Sequence, residues 1–138
     1  MSPMTAKMKS KKYRDRTRED WDDVRVNVMR WCLRIKLQNN WERFGHVLER
    51  TGKRPIVEES IKDEFWGAKP KGEGLLIGMN VLGRLLMELR EQFREIEKGG
   101  AKELKYPVIS RLFLFGRPME ASVRKTDIAG EIQTSMFD

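Results

Sequence analysis

Residues 80–100, NVLGRLLMELREQFREIEKGG, read as one amphipathic helix, and the rest of the chain is organised by what must cover it. Leu82, Leu85, Leu86, Leu89, Phe93 and Ile96 recur at three- and four-residue intervals and share a face, with most of the charge elsewhere. Asn80 suits the position before a helix, and Gly99-Gly100 supplies a stop, because glycine accepts a left-handed backbone. Helices of this length depend on packing of their apolar face, so the covering elements are sought on both sides.

On the N-terminal side, Trp21, Val24, Val28, Cys32 and Ile35 repeat the spacing and predict a helix to about Asn39, roughly 30 Å long. Thr17 followed by Asp20 has the form of a capping box that would start it. Trp41, Phe44, Val47 and Leu48 predict a shorter helix stopped at Thr51-Gly52. The segment RPIVEE at 54–59 is short and β-branched, a strand or an extended connection. Residues 67–79, GAKPKGEGLLIGM, hold four glycines and a proline and are predicted to be a loop. After Gly100, YPVISRLFLFGRP at 106–118 has strand character, while residues 120–138 have weak periodicity. A peripheral hairpin or a loose tail is expected there.

The predicted fold class is mainly α: a single-domain helical bundle with minor β elements and a peripheral C-terminal extension. Three regions follow: a basic N-terminal arm over 1–18, the helical domain over 19–98 and the extension over 99–138. A length of 138 residues suits one core. No run approaches the ~20 apolar residues needed to span a bilayer, and no apolar leader follows the first lysines, so a cytoplasmic protein without a membrane partner is expected. One cysteine, Cys32, and one histidine, His46, allow neither an internal disulfide nor the usual zinc ligand set. No metal or other cofactor is expected. Cys32 lies on the apolar stripe and reads as a buried, inert thiol, and His46 as packed or solvent-facing rather than catalytic.

The net charge of +7 points to an anionic partner: a nucleic acid, a nucleotide or a phosphorylated metabolite. Much of the excess lies in KMKSKKYRDRTR at 7–18, where seven cations face Asp15 alone. A solvated arm and a phosphate-contacting one are both compatible with that run.

Four stretches in order resemble the NADAR superfamily, and especially its YbiA-like members: SPMTAKM at 2–8, DWDDVRVNVMRWCLRIKLQNN at 20–40, IVEESIKDEFWG at 56–67 and GMNVLGRLLMELRE at 78–91. The most specific parts are D-x-x-W-G followed by N-x-L-G-x-L-L-M-x-x-R. The resemblance implies hydrolysis of an N-glycosidic bond between a ribose and a base or amine. Its implied substrates are a phosphorylated ribosyl small molecule of the riboflavin pathway, such as a ribosylamino-pyrimidine phosphate, or ADP-ribosylated guanine. Glu58, Asp63, Trp66, Gly67 and Asn80 match the family's site motifs, and Lys36 matches the lysine of the long helix. The family also carries a preceding region with S-N-F and S-x-E-H-x-x-Q elements, which this sequence lacks. Two outcomes are therefore expected: a complementing N-terminal chain supplies that region, or the domain is an inactive remnant that binds nucleotides or nucleic acid. The residues from Gly99 onward have no family counterpart.

These residue types suit that chemistry. Cleavage at C1 of a ribosyl compound develops an oxocarbenium-like sugar, for which glycosidases commonly use two carboxyl groups. A carboxylate about 4 Å from that charge, at an effective dielectric near 20, contributes roughly 4 kcal/mol of raw Coulomb attraction. Asp63 is the candidate, with Glu58, or its neighbour Glu59, either the second acid or a surface group. Trp66 could stack on a flat base or pack in the core, beside a glycine that admits close approach, whereas Phe65 reads as core. Asn80 could bind a ribose or simply cap the helix. Lys69 and Lys71, in the glycine-rich loop, could hold phosphate near that helix N-terminus, although no G-K-[ST] makes this a Walker loop.

Overall fold

The computed structural model describes residues 1–119, and the weakly periodic stretch 120–138 lies outside them. The described residues are mainly helical. Helix α1 (Pro3–Ser10) continues into a 3-10 segment (Lys11–Arg16), followed by α2 (Trp21–Asn39), α3 (Trp41–Arg50) and α4 (Val81–Glu97). Two antiparallel hairpins complete them: β1 (Lys69–Pro70) with β2 (Leu76–Ile77), and β3 (Phe113–Leu114) with β4 (Arg117–Pro118). No helix among the described residues is long and apolar enough to cross a membrane.

The stripe expected on α4 is the face that packs. Leu85, Leu89, Phe93 and Ile96 are buried, and Leu82 and Leu86 partly so. They meet Leu37 of α2, Trp41 and Leu48 of α3, and Leu104 from the segment after α4. The Trp41 and Phe93 rings lie 4.8 Å apart, and Gly45 admits the Phe93 ring, which a Cβ there would meet at 2.2 Å. Helix α3 ends as expected, with Gly52 at φ +59° and its N–H donating to the Glu49 carbonyl.

Helix α2 departs from its reading in two respects. It begins at Trp21, and the Thr17–Asp20 capping box is not formed, because the Arg18 guanidinium grips the Asp20 carboxylate at 2.5 and 2.8 Å. That bond holds the Asp20 carboxyl below its ordinary pKa range. The buried face is also not the predicted stripe: Trp31, Arg34, Leu37 and Gln38 are buried, Cys32 is exposed, and Val28 and Ile35 are only half-buried. The physical reason is that two polar side chains find partners inside. Arg34 donates to the Lys105 carbonyl and, at 3.2 Å, to Glu88, while the Tyr106 hydroxyl donates to Gln38. Tyr106 also meets Trp31 edge-on at 5.9 Å. Polar groups satisfied in this way are tolerated in a core, which a count of apolar residues along one helix does not register.

Two further expectations are refined. The loop predicted over 67–79 contains the β1–β2 hairpin, whose turn uses Gly72, Glu73 and Gly74 at positive φ. The peripheral hairpin after Gly100 is present as β3–β4, joined by Phe115 and Gly116, both at positive φ in the manner of a two-residue type I′ turn.

Burial pushes the Tyr106 hydroxyl from 10.0 up to about 12. A raised folded-state pKa for a group that is neutral when protonated contributes stability below pH 10.0 that is lost as pH rises towards about 12. Tyr106→Phe is therefore expected to lower stability at neutral pH through loss of the Gln38 bond, and to flatten the alkaline decline. Urea midpoints across that window check both; a decline as steep in the variant as in the parent would assign the slope to other groups.

Candidate active site

The site is built where the start of α4 meets the extended chain at 56–60 and the turn at 60–67. The chain at 58–60 bridges to Ala68: Ser60 N–H donates to the Ala68 carbonyl at 2.9 Å, and Ala68 N–H to the Glu58 carbonyl at 2.8 Å. Asn80 clamps this segment from behind. It lies at φ +49°, a conformation asparagine tolerates better than most residues, and its Oδ1 accepts from Glu58 N–H at 2.9 Å. Its Nδ2 donates to the Ile56 carbonyl, also at 2.9 Å. The expected side-chain cap by Asn80 is thus not made.

Backbone carbonyls of the turn take that capping role. Val81 and Leu82 N–H donate to the carbonyls of Phe65 and Trp66, both at 3.0 Å, and Asn80 N–H to that of Gly67 at 3.0 Å. Three of the four amides that make a helix N-terminus an anion site are thus occupied. Of the two lysines expected to hold phosphate there, Lys69 pairs with Glu64 at 3.3 Å and Lys71 is exposed beside the β1–β2 turn. Close approach of the segments depends on missing side chains. A Cβ on Gly67 would lie 2.5 Å from the Glu58 carbonyl, and one on Gly83 2.1 Å from that of Ile56.

Within the turn, Ser60 Oγ accepts from Asp63 N–H at 3.1 Å, and Asp63 Oδ1 accepts from the N–H groups of Phe65 and Trp66 at 2.9 and 2.8 Å. One carboxylate oxygen of Asp63 is thereby committed to the backbone. The other takes no hydrogen bond from the described residues. The Trp66 ring stands edge-on to Phe65, centroids 4.9 Å apart, and the Arg25 guanidinium of α2 covers Phe65 at 3.7 Å. Phe65, expected in the core, is half-buried under that cation.

Asp63, Glu58, Trp66 and Gly67 come together in the wall of one open cleft of about 710 Å³. Asn80 stands behind that wall as its support. Lys36 does not join them; its ammonium lies 5.2 Å from the Phe44 ring. Neither Lys69 nor Lys71 lines the cleft. His46 is exposed on α3 and lines a separate groove of about 390 Å³ with Glu42 and Glu49. Among the described residues no group of three or more His, Cys, Asp or Glu side chains is placed to hold a metal.

Ser60, Ile61 and Lys62 line the cleft and were not singled out from the sequence, whereas Lys7 was read only as part of the basic arm. Ser60 and Asp63 have the S-x-x-D spacing of a local capping motif, so Ser60 was legible. Lys62 had no such signal. Lys7 reaches the cleft from α1, more than fifty positions away in the chain, which no local pattern encodes.

The family description "NADAR domain" matches residues 1–94. The N-glycosidase YbiA of Escherichia coli is 38% identical over 97 residues, covering 70% of this chain and 57% of that protein. A riboflavin biosynthesis protein of Vibrio vulnificus is 42% identical over 86 residues, covering 62% of this chain and 22% of that protein. The chloroplastic riboflavin biosynthesis protein PYRR of Arabidopsis thaliana is 41% identical over 76 residues, 55% of this chain and 12% of its own. The chain thus spans less than two thirds of the length of each of these relatives. No solved structure matches. With two thirds of its length matched by one family description, and the D-x-x-W-G turn held against the N-x-L-G helix in the cleft wall, the chain belongs to the NADAR family.

Proposed function

We propose that this chain hydrolyses the N-glycosidic bond of a ribosylated, phosphorylated substrate, either a ribosylamino-pyrimidine phosphate or ADP-ribosylated guanine. The observation that carries the reading is Asp63, held through one carboxylate oxygen in the wall of a cleft that also presents Glu58 and Trp66. In this reading the Asp63 charge stabilises the developing sugar cation and Glu58 handles the proton. Trp66 lines the base pocket, and Lys7 and Lys62 at the cleft attract phosphate. Water is the acceptor, and no oxidation state changes. Lys36, Lys69 and Lys71 do not line that cleft.

The experiment is incubation of the purified chain with each substrate, followed by chromatography for free base and sugar phosphate. It is run alone and with the remaining part of a YbiA relative added in trans, since this chain covers 57% of that protein. Release from one substrate in either arm is expected. No release from either substrate in both arms refutes the proposal.

A further inference from the structure

A second surface, on the arm and the C-terminal hairpin, mixes exposed aromatic rings with cations. None of the residues of α1 or of Lys11–Arg16 is buried. Tyr13 is 47% exposed, with Lys12 Nζ 4.9 Å and the Arg16 guanidinium 5.2 Å from its ring. Arg18 joins this arm to the hairpin, donating to the Ser110 carbonyl at 2.9 Å and that of Arg111 at 3.4 Å. Just beyond that joint, Phe113 is 55% and Phe115 95% exposed, bracketed by exposed Arg111 and Arg117. With Leu114 55% exposed between them, Phe113 and Phe115 make a contiguous apolar patch set among cations, the kind of surface that marks an interaction site.

We infer that the arm and the β3–β4 hairpin form a binding surface for single-stranded nucleic acid, with the cations on phosphates and Tyr13, Phe113 and Phe115 stacking on unpaired bases. A backbone groove of cations with interspersed aromatic platforms is the usual way such strands are held without sequence preference. Exposed rings of this kind have no use on a duplex, whose bases are already stacked. A membrane surface is the poorer fit, since interfacial binding needs segregated apolar and basic faces, and on α1 the two kinds of side chain are intermixed. A free phosphorylated metabolite needs a concavity, which an exposed hairpin tip does not offer. The hairpin lies beyond the family-matched residues 1–94, and the surface is independent of the glycosidase reading, because it concerns binding alone.

Fluorescence anisotropy of the full chain with a labelled single-stranded oligonucleotide of about 20 nucleotides tests this. Single strands lose about 0.7 in log affinity per log unit of salt for each phosphate neutralised. The six exposed cations of the 3-10 segment and the hairpin, Lys11, Lys12, Arg14, Arg16, Arg111 and Arg117, give a slope of about −4, or a few hundredfold loss between ~50 and ~200 mM salt. The combined variant K12A/R14A/R16A is expected to reduce that slope by about 2. Phe113→Ala with Phe115→Ala is expected to leave the slope and the melting temperature unchanged and weaken binding about tenfold or more. Affinity indifferent to salt, unchanged affinity in the aromatic variant, or equal or tighter binding to the matching duplex or to phosphatidylserine vesicles would each overturn the inference.

Discussion

Asp63→Asn is expected to lower turnover on the cleaved substrate by roughly two to three orders of magnitude with little change in stability. The asparagine carbonyl still accepts from the N–H groups of Phe65 and Trp66, so the turn that carries Trp66 is retained. What is lost is the negative charge. At about 4 Å and an effective dielectric near 20, that charge is worth roughly 4 kcal/mol to a sugar cation, close to a thousandfold in rate, and less in an open, solvated cleft. Asp63→Ala behaves differently: it removes the one oxygen that accepts both bonds, leaves two amides without that partner and costs about 1–2 kcal/mol of stability as well. Comparing kcat, KM and urea midpoints for the two variants separates charge from scaffold. A turnover for Asp63→Asn within threefold of the parent would remove Asp63 from the chemistry and leave it as a turn-forming residue.

The second large effect is on folding. Gly83 sits inside α4, where alanine is intrinsically favoured over glycine by about 1 kcal/mol. Gly83→Ala is nevertheless expected to destabilise by about 2–4 kcal/mol, because the new methyl would lie 2.1 Å from the Ile56 carbonyl and 2.4 and 2.5 Å from the Asn80 carboxamide. Neither neighbour can yield without breaking the hydrogen bonds by which Asn80 holds the 56–58 segment. The melting temperature should fall by roughly 10 °C, and exchange of the Glu58 amide, which donates to Asn80, should accelerate. Activity should fall with it, since Glu58 leads into the cleft wall. A variant as stable as the parent would mean that helix propensity outweighs the contact, and that the segment packs more loosely than these distances require.

Much of the architecture was legible along the chain, where one element's own residues suffice. Leu85, Leu89, Phe93 and Ile96 of α4 bury the face their spacing predicts, and Gly52 ends α3 at a positive φ, because helix period and backbone sterics are local properties. Glu58, Asp63, Trp66 and Gly67 were singled out by their resemblance to the NADAR motifs rather than by periodicity, and they line one cleft. What only the tertiary structure decided involves groups brought together from distant positions. The buried side of α2 follows Arg34 and Gln38, whose partners at Lys105 and Tyr106 lie some seventy residues on. Asn80 gives up its capping role because the Phe65 and Trp66 carbonyls reach the amides of α4 first, freeing its carboxamide to hold residues 56 and 58. Periodicity reports which residues avoid water, whereas a hydrogen bond across the fold can make burial favourable for a polar residue, and that balance is set only when both partners are in place.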